Sequence, residues 1–142
     1  MSKPQPETVT KVLFLCVGNS CRSQMAEAFA NRLGEGKLRA WSAGSSPLGW
    51  IAHHTLAVME ERGIALTDQW SKGIDEVPLD RMDLVVTMGP EVSCFLPAEF
   101  KGRLLEWNVS DPFGGRLDGY RAARDLIEEQ VSRLLAEIKT SA

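Results

Sequence analysis

Apolar and polar positions along this chain fall into blocks whose lengths predict strands and helices in turn. Val12-Leu13-Phe14-Leu15 is a continuous apolar run of strand length, the pattern of a parallel strand buried on both faces. Gln24 to Ala30 holds strong helix formers without Gly or Pro. Met25, Ala28, Phe29 and Leu33 share one helical face, which stops near Gly34-Glu35-Gly36. Leu38 to Ser42 predicts a second strand, closed by a turn cluster from Gly44 to Gly49. Trp50 to Arg62 predicts a helix with Ala52, Leu56 and Met59 on its apolar stripe and Gly63 as its stop. Ile64 to Leu79 is mixed and polar, a long loop with a helical turn near Ile74. Asp83 to Met88 predicts a third buried strand, residues 90–97 a short helix, and Arg103 to Trp107 a fourth strand. After a loop from Asn108 to Arg116, Tyr120, Ala123, Ile127, Val131, Leu134, Leu135 and Ile138 keep helical spacing.

Strands alternating with helices predict an α/β domain: a four-stranded, mostly parallel sheet flanked by helices and joined by right-handed crossovers. In such sheets ligands bind at the carboxyl ends of the strands. A chain of 142 residues with 44% hydrophobic content suits one domain with a real core. Residues 1–8 are polar and proline-bearing, a flexible tail ahead of a domain spanning 9–142. The net charge of −3 argues against nucleic acid or an anionic membrane as the main partner. No apolar run reaches membrane-spanning length and no signal-peptide core is present, which predicts a cytoplasmic protein. Three cysteines, an odd count without framework spacing, fit a reducing compartment.

The chemistry concentrates in Cys16-Val17-Gly18-Asn19-Ser20-Cys21-Arg22-Ser23, between the first strand and the first helix. A loop in that position aims backbone N–H groups and the positive end of the helix dipole at one point, which makes a phosphate-sized anion site. Cys16 lies beneath that field, which favours the thiolate, the nucleophilic form. Arg22 can fold its guanidinium back over the cradle and hold two oxygens at once. Val17, Gly18, Asn19, Ser20 and Cys21 supply the substrate-binding backbone, and Ser23 can hydrogen-bond the Cys16 sulfur. Cys21 is either a partner for a reversible disulfide with Cys16 or a packed loop thiol. His53 and His54 are adjacent on a helix and point apart, a poor ligand pair, so no metal is expected.

The run CVGNSCRSQMAEAF resembles the signature of the low-molecular-weight protein tyrosine phosphatases and their relatives, the thiol-dependent arsenate reductases. The likeness continues in Ser42-Ala43-Gly44, in Asp83 to Met88 and in Asp111-Pro112-Phe113-Gly114. Alone, Asp111 before Pro112 reads as an ordinary turn aspartate. The resemblance implies instead that it is the general acid, which protonates the leaving oxygen and then activates water against a phosphocysteine. It also implies that Asn19 and Ser42 brace the loop as a pair.

The first expectation is hydrolysis of phosphomonoesters, without a cofactor, on a phosphorylated protein or a small oxyanion. The alternatives are arsenate reduction, in which Cys16 works with Cys94 or an external thiol, and protein-arginine dephosphorylation. A phosphate-binding pseudophosphatase without turnover is the non-enzyme alternative. Ser20 and Gln24 resemble the arsenate reductase version of the signature. Thioredoxin-coupled reductases carry a cysteine pair after the third strand, whereas Gly89 to Pro97 here holds only Cys94. Asp111-Pro112-Phe113-Gly114-Gly115 resembles bacterial protein-arginine phosphatases, and the small polar Ser20 suits that substrate.

Overall fold

The computed structural model describes residues 9–89 and 100–138. The tail 1–8, the helix expected over 90–97 and Cys94 lie outside the described residues.

The apolar run at the start becomes strand β1, Thr10–Cys16, in which Val12 to Leu15 have no exposed surface. Strand β2 is Leu38–Gly44, β3 is Leu84–Thr87 and β4 is Arg103–Glu106. They form one sheet in the order β2-β1-β3-β4, with every pairing parallel. Among the described residues there are three α-helices: α1 is Arg22–Leu33, α2 is His53–Glu60 and α3 is Leu117–Glu137. The expected helical turn near Ile74 is a 3-10 turn over Ile74–Glu76, followed by another over Leu79–Arg81.

Because successive strand residues point to opposite faces, β1 divides the core in two. Val12 and Phe14 join Met25, Phe29, Val58, Ile127 and Val131 from the three helices. Leu13 and Leu15 pack with Val85, Val77 and Met82 on the other face. The chain leaves β1 for β2 on one side and later returns to place β3 on the other. That reversal is a topological switch point, and the crevice it opens lies at the carboxyl end of β1, at Cys16.

Two helical stripes differ from expectation. Leu33 is exposed, because helix α1 ends beside α3 at Gly34, where a β-carbon would lie 2.6 Å from Leu135. Helix α2 begins at His53 instead of Trp50, because the Ala52 N–H donates to the Ser20 carbonyl (3.1 Å) and holds the preceding chain extended. Thr55, Val58 and Met59 are therefore its buried residues, and Leu56 faces outward.

Candidate active site

The loop from Cys16 to Arg22 is shaped by where its carbonyls go. Cys16, Val17 and Gly18 accept from the backbone N–H groups of Ser45, Ser46 and Leu48 at 2.9–3.0 Å. Asn19 O accepts from Gln24 Nε2 (3.1 Å), Ser20 O from Ala52 N and the Thr55 hydroxyl, and Cys21 O from Met25 N. With all these carbonyls bound outward, the peptide planes turn their N–H groups toward the loop centre. Among the described residues, no acceptor is found for the backbone N–H groups of Val17 to Cys21. Helix α1 begins directly after them with no acidic residue in its first turn, so its dipole is left for a ligand. The loop centre has the geometry that suits an anion.

Asn19 makes the tight curve possible. Its φ is +48°, in the left-handed region that asparagine tolerates better than most residues. Its side chain then secures the turn. Oδ1 accepts from Lys72 N (2.8 Å) and Gln24 Nε2 (3.0 Å), while Nδ2 donates to Ser23 Oγ (2.7 Å). Gly44 leaves the necessary space, since a β-carbon there would sit 2.6 Å from the Val17 carbonyl oxygen.

Cys16 is only 2% exposed, and its sulfur lies 2.8 Å from Ser23 Oγ. That oxygen also accepts from Asn19, which leaves its own hydrogen available to the sulfur. Arg22 is buried, and its Nη1 donates to Met88 O (2.7 Å) and Val109 O (3.0 Å). Its Nη2 lies 3.7 Å from Asp111 Oδ2. Asp111 is half exposed, accepts from Phe113 N and lines the same cavity of about 220 Å³ as Cys16 and Arg22. The Cys16 thiol, the Arg22 guanidinium and the Asp111 carboxyl thus line one opening.

Two sequence-derived readings take a different form. Ser42 does not pair with Asn19; its hydroxyl donates to Glu27 Oε1 on α1 at 2.6 Å, because that carboxylate faces β2. Cys21 lies in the loop, yet its thiol is buried and points to the Tyr120 hydroxyl (3.8 Å). Burial pushes the Cys21 thiol up against opposing hydrogen bonds from Thr55 and Tyr120. Burial, with Cys21 beside it, likewise pushes the Tyr120 phenol up to about 12. A raised thiol pKa makes the attacking thiolate less accessible to Cys21. Among the described residues, no cluster of metal-ligating side chains is found.

Sequence reasoning singled out Phe113 but missed Leu48, Trp50 and residues 69–72 as outer parts of the site. Leu48, Trp50 and Phe113 are exposed around the opening, with the Trp50 and Phe113 rings 5.8 Å apart. Residues 69–72 lie along the far side of the loop: Ser71 Oγ donates to Gly18 O, and Trp70 O accepts from Gln24 Nε2. Nothing in a mixed polar stretch marks such a brace, since its partners are distant in sequence.

Residues 11–142 match the family described as low molecular weight phosphotyrosine protein phosphatase. The chain is 39% identical over 131 residues to the glutaredoxin arsenate reductase of Synechocystis sp., covering 90% of this chain and 98% of that one. Among solved structures, an arsenate reductase in the phosphate-binding state superposes with a TM-score of 0.83 at 37% identity, over 92% of this chain and all of that one. The YwlE arginine phosphatase from Geobacillus stearothermophilus gives a TM-score of 0.83 at 28% identity, over 90% of this chain and 92% of that one. The chain belongs to the low molecular weight phosphotyrosine protein phosphatase family.

Proposed function

We propose that this protein is an arsenate reductase that uses Cys16 as its nucleophile. The observation that carries the reading is its 39% identity, over nearly the whole length of both chains, to a relative named as an arsenate reductase. The cradle suits the chemistry, because arsenate and phosphate are tetrahedral oxyanions of nearly the same size. Hydrolysis of phosphomonoesters, the first expectation from the sequence, becomes the second reading.

In the proposed reaction the loop N–H groups and Arg22 hold three oxygens of arsenate. The Cys16 thiolate attacks arsenic(V), and one oxygen leaves as water after taking a proton from Asp111. A second thiol then attacks the Cys16 sulfur and forms a disulfide. The electron pair of the broken sulfur–arsenic bond stays on arsenic, which departs as arsenite(III). A thiol reductant restores Cys16. Cys21 is buried, directed to Tyr120 and raised in pKa by burial, which favours Cys94 or an external thiol as that second thiol. Such a cycle belongs in a reducing, cytoplasmic setting.

Phosphoarginine hydrolysis is favoured by one local feature. Ser20 Oγ is buried beside the cavity and, among the described residues, has no hydrogen-bond partner, so it is available to a substrate N–H. One assay separates the readings: arsenate with glutathione and glutaredoxin, against phosphoarginine and an aryl phosphate with water. Turnover of any of the three, lost in Cys16→Ser, excludes a pseudophosphatase.

A further inference from the structure

We infer that Lys72 is a positioning residue of the anion cradle: its buried ion pair with Glu27 clamps residues 69–72 against the Asn19 turn. The inference rests on the reading of the Cys16–Arg22 loop as an oxyanion site, and it adds residues that lie outside that loop.

The Lys72 backbone serves both halves of the turn. Its N–H donates to Asn19 Oδ1 (2.8 Å), and its carbonyl accepts from Gly44 N (2.9 Å). Gly44 is the residue whose missing β-carbon lets Val17 and Asn19 approach. A shift of Lys72 therefore releases the left-handed residue and the strand end beneath it together.

The Lys72 side chain holds that backbone in place. It is 4% exposed, and its Nζ donates to Trp70 O (3.2 Å) and lies 3.7 Å from Glu27 Oε1. The ammonium also sits over the Trp70 ring, 4.6 Å from its centroid. Glu27 Oε1 accepts the Ser42 hydroxyl as well, so a single carboxylate ties α1, β2 and the 69–72 segment together. Burial pushes the Glu27 carboxyl up and the Lys72 ammonium down, and each is the other's main opposing charge. A buried pair of this kind is no better for stability than apolar side chains of similar volume, and it loses heavily when one partner is removed. Its benefit here is conformational: a defined separation between α1 and the 69–72 segment, transmitted through Lys72 N to Asn19.

The test measures inorganic phosphate binding by calorimetry on the full chain, with thermal unfolding followed in parallel. Lys72→Met should weaken phosphate binding roughly tenfold, the order expected when one buried hydrogen-bonded brace is lost. Lys72→Arg should recover most of that affinity, and Glu27→Gln should mimic Lys72→Met. The double variant Glu27→Gln/Lys72→Met should bind no worse than the weaker single one, because both changes break one clamp. Should Lys72→Met not fold, the Arg and Gln variants decide. Wild-type affinity in Lys72→Met or Glu27→Gln would overturn the inference, as would a Lys72→Arg protein that binds no better than the Met variant. A wild-type protein that binds no phosphate at all would overturn the underlying site instead, and the clamp with it.

Discussion

Ser23 Oγ lies 2.8 Å from Cys16 Sγ while accepting a hydrogen bond from Asn19 Nδ2 at 2.7 Å. The asparagine thereby holds the serine oxygen beside the sulfur, with its hydroxyl hydrogen available to it. Ser23→Ala removes the hydroxyl beside the sulfur and with it the acceptor of Asn19 Nδ2, while the Asn19 Oδ1 contacts to Lys72 and Gln24 remain. Alkylation of Cys16 by iodoacetamide at neutral pH should slow by roughly tenfold, the value of one hydrogen bond to a charged group. Phosphate binding should fall less than alkylation, because Asn19 Oδ1 still holds Lys72 N and Gln24 Nε2. Unchanged alkylation would show that the hydroxyl does not act on the sulfur.

Arg22 does two tasks with one guanidinium. It ties the end of β3 to the Asp111 loop through Met88 O and Val109 O, and it faces the cavity. A lysine offers a point charge in place of the planar fork. Arg22→Lys should cut kcat/KM by roughly 10²–10³-fold, comparable to losing an oxyanion donor. Steady-state kinetics with any accepted substrate checks this, and near-normal activity would remove Arg22 from that role.

Gly44→Ala tests the packing beneath the loop. A methyl group there meets the Val17 carbonyl oxygen at 2.6 Å and the Asn19 nitrogen at 3.0 Å, and both are backbone atoms that must move. The expected outcome is a stability loss of roughly 1–3 kcal/mol, typical of overpacking and read as a lower Tm, together with weaker phosphate binding. A protein with wild-type Tm and affinity would contradict the tight approach.

Glu61 links α2 to α3 by accepting from Arg121 (2.8 Å) and Arg124 (2.6 Å). Hydrogen bonds from Arg121 and then Arg124 lower its pKa from the ordinary 4.5 to about 2. A carboxyl whose pKa is lower in the folded state adds stability above its unfolded value and loses it as pH falls through the folded value. Part of the fall in Tm between pH 4.5 and 2 should therefore disappear in Glu61→Gln. The effect is small, since the group is solvent-exposed and screened. Identical pH profiles for the two proteins would exclude Glu61 as a contributor.

The parts of the site that were legible in the sequence are those contiguous along the chain. Strand, Cys16, loop, Arg22 and helix follow one another, and their chemistry depends on local backbone geometry. The parallel sheet was legible for a similar reason, because Val12 to Leu15 and Leu84 to Val86 are apolar runs buried on both faces. What was not legible depends on distant partners. Ser42 was expected to brace the loop alongside Asn19, yet its hydroxyl donates to the Glu27 carboxylate on α1. Lys72 sits in a stretch that looks like solvated loop, and only the fold brings it to Glu27 and Asn19. Leu33 and Leu56 carry the right period for burial, but the end of α1 and the later start of α2 turn them outward.

Cys94 bears on the route of the second thiol. The segment after β3 holds only this cysteine where an internal relay needs a pair, so an external thiol should resolve the Cys16 adduct. Cys94→Ser should then keep multiple turnover with arsenate in the presence of glutathione. A Cys16–Cys94 disulfide trapped after arsenate treatment, with turnover lost in Cys94→Ser, would establish the internal route.

The most direct measurement of the proposed activity is arsenite release from arsenate, supplied with glutathione and glutaredoxin, compared between the wild-type protein and Cys16→Ser. The prediction is catalytic arsenite formation by the wild type, many turnovers per chain, and none above background in Cys16→Ser. No arsenite above that background, in a preparation that still hydrolyses phosphoarginine or an aryl phosphate, would contradict the reductase reading and make the protein a phosphatase.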